Sequence, residues 1–150
     1  MKIMRSAEPA LFFSGKEKEA IVAAIREAEK VSSAEIHVHL TRKARPDIMA
    51  HAAQLFERLG LTRTKDRNGV LIFMGVASKR FAILGDEGIH SRVGSDFWTR
   101  IAASMSACFA EDRFADGIVE AVEAAGQALA AHFPYQRDDV NELPDEISFS

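Results

Sequence analysis

At 150 residues the chain is long enough to bury one compact core and is sized for a single ordinary domain. Hydrophobic residues make up 47% of it and charged residues 27%, a globular balance that excludes an intrinsically disordered chain. The formal net charge is −3 with both signs scattered along the sequence, which argues against a dedicated nucleic-acid binder with its basic face.

In the first thirteen residues Lys2, Arg5, Glu8 and Pro9 interrupt every apolar run, so neither a secretory signal core nor a membrane span fits. No other stretch approaches the ~20 apolar residues of a spanning helix. A cytoplasmic location is the expectation. The first helix should begin just after Ser14, because Ser14 and Glu17 have the spacing of a capping box. Ala20, Ile21, Ala24, Ile25 and Ala28 then form one apolar stripe. Ser32 and Ser33 break it, and a strand follows over residues 35–41. Its alternation sends Ile36, Val38 and Leu40 one way and Glu35, His37 and His39 the other.

Pro46 suits the first turn of a second helix, whose face carries Ile48, Ala52, Leu55, Phe56 and Leu59 and which stops at Gly60. Residues 70–76 are a continuous apolar run, the pattern of a strand covered on both faces. A short connection, 77–79, leads to a third strand over 80–84, and the pair reads as a hairpin. Residues 85–95 read as a loop with glycines at 85, 88 and 94. Ser95 is the expected N-cap of a helix marked by Phe97, Ile101, Met105 and Phe109. A last helix carries Phe114, Ile118, Val122, Ala125, Leu129 and Phe133 and ends at Pro134. The lone cysteine, Cys108, lies at helical spacing from apolar neighbours and reads as a core residue. Residues 1–134 should therefore form the domain, with 135–150 an acidic tail without periodicity. Helices alternating with strands make this one layered α/β unit.

Chain direction locates the candidate site. A helix joins the first two strands, so they should run parallel, with their N-terminal ends on one edge of the sheet. The third strand returns against the second and brings its C-terminal end to that edge. Glu35, Asp66, Asn68, Asp86 and Glu87 should thus share a neighbourhood. Hard oxygen donors of this kind suit Ca²⁺ or Mg²⁺. Gathered carboxylates also need a cation or a shifted pKa to relieve their repulsion. The same residues, Asn68-Gly69 and Gly85-Asp86, are ordinary turn formers, and a solvated acidic edge is the plainer reading.

The helix residues Ala24-Ile-Arg-Glu-Ala-Glu29 are followed in order by Ser33-Ala-Glu-Ile36, Asn68-Gly-Val-Leu-Ile72, and Gly85-Asp-Glu-Gly-Ile89 with Phe97-Trp98. Together with Asn141-Glu-Leu-Pro-Asp-Glu-Ile147, this sequence resembles the TPM domain family, in its small soluble branch, from about Leu11 to Phe133 and beyond. The resemblance implies a three-layer α/β/α sandwich with a small mixed sheet flanked by about four helices. It also implies divalent-cation binding, Ca²⁺ above all, and acid-phosphatase-type hydrolysis of phosphate esters like that of the thylakoid-lumen member. Many longer members carry an aspartate directly before the Asn-Gly of the second strand. Here Arg67 holds that position and the acid is displaced to Asp66.

A hydrolase of this kind would use the cation to polarise a phosphoryl oxygen and activate water. Asp66 or Asp86 would serve as ligand or base, and Arg67 would hold the ester's charge through its forked donors. The alternative is a non-catalytic module whose acidic loop edge or tail binds a partner protein. The alternating Glu35, His37 and His39 could contribute to a Zn²⁺ site if further ligands arrived from elsewhere, although polar residues on an edge strand account for them as well. His51 and His132 lie alone on helices. Asp138, Asp139, Asn141 and Glu142 have a calcium-like composition without the EF-hand order. No glycine-rich phosphate loop or G-x-S-x-G elbow is present.

Overall fold

The computed structural model describes residues 5–135 and 147–150. The acidic group Asp138, Asp139, Asn141 and Glu142 lies outside the described residues. The first long helix, α2 (Gly15–Val31), follows the one-turn α1 (Pro9–Phe12) and starts where its sequence dictates. Ser14 Oγ accepts from the Glu17 N–H at 3.1 Å, and Glu17 Oε1 accepts from the Ser14 N–H at 2.9 Å. Arg5 grips the same carboxylate with two nitrogens at 2.8 and 2.7 Å. That fork holds Glu17 below the usual carboxylate range, against an opposing effect of burial.

The sheet contains β1 (Glu35–Thr41), β2 (Gly69–Gly75), β3 (Arg80–Gly85) and β4 (Ile147–Phe149), in the order β3-β2-β1-β4. β1 and β2 are parallel in the register Glu35↔Gly69 to Thr41↔Gly75, and β3 returns antiparallel to β2. The hairpin and the parallel crossover are those expected from the sequence. Alternation along β1 and β2 fills two cores. Ile36, Val38, Leu40, Val70, Ile72 and Met74 share one with Ile21 and Ile25 of α2 and with Ile118, Val122 and Leu129 of α6 (Phe114–His132). Leu71 and Phe73 pack on the other face with Ala52, Leu55 and Phe56 of α3 (Ile48–Arg58). The result is an α/β/α sandwich, and each large aliphatic side chain buried this way stabilises it by roughly 1.5–3 kcal/mol.

Three local expectations are corrected. Residues 85–95 are mostly helical: α4 (Glu87–Val93) begins at Asp86, whose carboxylate caps it by accepting from the Glu87 N–H at 2.8 Å. Gly94 ends it in a left-handed backbone, φ 73°, and itself occupies the cap of α5 (Ser95–Ala110), so Ser95 is the first helical residue and not the cap. β1 is an interior strand with all seven residues buried, because Ile147–Phe149, which the sequence leaves in the tail, pairs parallel to it as β4.

Candidate functional site

The three loops meet as chain direction requires. Glu35 N–H donates to the Asn68 carbonyl at 3.3 Å, and Asp86 N–H donates to that of Gly69 at 2.9 Å. The first turn of α4 closes on the loop before β2, with Gly88 N–H donating to the Arg67 carbonyl at 2.9 Å. A Cβ added at Gly88 would lie 2.3 Å from the Asp66 carbonyl oxygen and 2.6 Å from that of Arg67, so only glycine permits this approach. Glu35 and Asn68 are buried at the strand starts. Asn68 N–H donates to Thr64 Oγ1, and its amide nitrogen donates to Ser33 Oγ, both at 3.1 Å. Asp66 is exposed.

The decisive residue is Arg67. Its backbone is left-handed, φ 51°, a conformation that disfavours most side chains. Its Nε donates to Asp86 Oδ2 at 2.7 Å and its Nη2 to Asp86 Oδ1 at 2.9 Å, while Nη1 stands 2.6 Å from Glu87 Oε1. The hydrogen bonds to Asp86 push the guanidinium further above its already high range. Asp86 is 7% exposed and Glu87 72%, so one carboxylate is enclosed beneath a half-exposed counter-ion and the other lies in solvent.

This arrangement does not fit a divalent cation. Both oxygens of Asp86 are bound to the guanidinium, whose positive charge opposes an ion approaching the same carboxylate. Among the described residues no three His, Cys, Asp or Glu side chains form a group that could hold a metal. Nor does Arg67 present a free fork to an ester. Of the three residues expected to act together, Arg67 and Asp86 are joined to each other, and Asp66 is exposed.

The histidine face of β1 has a different use. His37 Nε2 lies 2.8 Å from Ser148 Oγ, and His39 reaches Ser148 through Nδ1 at 2.5 Å and Ser150 through Nε2 at 2.9 Å. These contacts fasten β4 to β1. Burial, reinforced by the neighbouring His37, lowers the His39 pKa to about 4, so its ring is neutral at pH 7. Cys108 donates its thiol to Glu120 Oε2 at 3.1 Å; that bond and burial raise its pKa and keep it protonated.

At the opposite end of the sheet, where β2 turns into β3, an open cleft of about 370 Å³ lies between the hairpin and the α5–α6 connection. Phe81, Phe109 and Phe114 line it, with ring centroids 5.2 Å (Phe81–Phe109) and 5.1 Å (Phe109–Phe114) apart. Lys79 stands over the Phe114 ring, its Nζ 5.5 Å from the centroid. Lys79 and Asp112 line the cleft from the hairpin and the inter-helix connection, and both have left-handed backbones, φ 55° and 60°. Sequence reading places both phenylalanine-bearing helices correctly but gives no sign of this cleft. Its geometry depends on two non-glycine residues in conformations their identities do not advertise.

The sequence model of the TPM domain matches residues 7–128, a span that contains both the rim and the cleft. The chain belongs to the TPM domain family. A solved relative of this TPM domain is the BA42 protein from the psychrophilic bacterium Bizionia argentinensis, determined by NMR. It is 42% identical, with a TM-score of 0.87 over 93% of this chain and 96% of BA42. No curated protein matches the chain.

Proposed function

We propose that this TPM domain is a non-catalytic interaction module that uses the phenylalanine-lined cleft to hold a segment of a partner protein. The single observation that carries this reading is the open cleft lined by the partly buried Phe81 and Phe109, with Lys79 beside them over the buried Phe114 ring, while Arg67 and Asp86 on the rim are bound to each other. An apolar floor beside a cation suits a segment that places an aromatic or aliphatic side chain next to a carboxylate. Burying one such side chain contributes about 1.5–3 kcal/mol, which implies weak, reversible capture by the cleft alone.

Amide chemical-shift mapping with a short acetylated Phe-Asp peptide tests the reading. Saturable shifts at Lys79, Phe81 and Phe109, weakened when Asp is replaced by Lys in the peptide, are the expected result. Absence of any localised shift contradicts it. The rim-based phosphate-ester hydrolase implied by family resemblance is the competing reading. Turnover of p-nitrophenyl phosphate that is lost in both Asp66→Asn and Asp86→Asn would replace the interaction module with a hydrolase.

A further inference from the structure

We propose that the Arg67 guanidinium is the rim's own cation, occupying the place a divalent ion would take and making this edge of the fold independent of metal.

Asp86 is enclosed, and a carboxylate withdrawn from water needs a counter-charge with good geometry. The loop is shaped to deliver one. Arg67 N–H donates to the Thr64 carbonyl at 3.2 Å, and Thr64 Oγ1 accepts from the Asn68 N–H at 3.1 Å, which fixes the turn from both sides of Arg67. The left-handed backbone at Arg67 then leaves its carbonyl directed at the Gly88 N–H while its side chain reaches Asp86 and Glu87. A merely incidental surface ion pair has no need of a disfavoured backbone conformation or of a glycine packed against the loop.

The planar fork satisfies both oxygens of Asp86 and touches Glu87 with its remaining nitrogen. It thus bridges two carboxylates from adjacent positions, as a hard ion would, with one unit of charge and fixed hydrogen-bond directions. The Arg67 side chain is 42% exposed, so it covers Asp86 from the solvent side.

Thermal unfolding of the full chain in EDTA, CaCl₂ and MgCl₂ tests this. The wild-type midpoint should be the same in all three. Arg67→Gln should unfold about 2–4 °C lower in EDTA and regain part of the loss in millimolar CaCl₂. The double variant Arg67→Gln/Asp86→Asn should regain none. Arg67→Lys, which keeps the charge, should remain insensitive to Ca²⁺ and serves as the decisive variant if the glutamine form does not fold. A wild-type or Arg67→Lys midpoint that rises with Ca²⁺, an Arg67→Gln midpoint equal to wild type, or an Arg67→Gln loss that Ca²⁺ leaves untouched would each overturn the proposal.

Discussion

His37 and His39 show how much a side chain's role depends on the strand beside it. On an exposed edge they would titrate near 6.5 and remain open to a metal. Enclosed between β2 and β4, they bind the hydroxyls of Ser148 and Ser150 instead. Ser148 has one proton to give, so it donates to one imidazole at most and accepts from the other. His39 carries a consequence for stability. Its folded pKa of about 4 lies below the unfolded value, so unfolding takes up a proton between those limits. The contribution is complete above pH 6.5 and is lost as pH falls toward 4. Thermal midpoints measured from pH 7 to pH 5, a range above the titration of ordinary carboxylates, should fall in the wild type and fall less steeply in His39→Gln. An NMR titration placing the His39 ring near its ordinary value would refute this account.

At the scale of elements, the start of α2 is the most legible feature. The Ser14–Glu17 box is local and predicts its own geometry, and the structure shows both of its hydrogen bonds. Ser14→Ala should lower stability by about 1 kcal/mol in chemical denaturation, with little change in the m-value. The short α4 was not legible, because Gly85-Asp86-Glu87-Gly88 reads equally as a turn and seven residues are too few to show a period. The rim was foreseen as a place from chain direction alone. Its internal pairing was not, since that depends on the left-handed turn at Arg67, which no local pattern announces. Gly88 reports on that pairing. In Gly88→Ala the new methyl must push against two backbone carbonyls that have no flexible end to yield. A loss of about 1–3 kcal/mol is expected, together with faster amide exchange at Gly88 and Asp86 than in the wild type. Unchanged exchange at both amides would mean that the rim is looser than the structure shows.

Across the whole molecule, the sheet separates two poles with different chemistry. At the strand starts Arg67 is bound to Asp86, and Asn68 to Thr64 and Ser33. The hairpin end of the sheet instead leaves Phe81 and Phe109 partly exposed beside Lys79. The sandwich, the parallel β1–β2 pair and the hairpin were readable because long periodic segments allow few arrangements. β4 was not, because three residues carry no usable alternation and their partner is more than a hundred residues away. Among the described residues no helix is long and apolar enough to cross a membrane. On the proposed reading, function lies at the hairpin pole, with Lys79 setting the preferred charge of the partner. The most direct measurement is fluorescence anisotropy of two labelled peptides, one Phe-Asp and one Phe-Lys, against the wild type and Lys79→Glu. Tighter binding of the acidic peptide by the wild type, reversed in Lys79→Glu, is the predicted result; equal binding of both peptides by both proteins would contradict it.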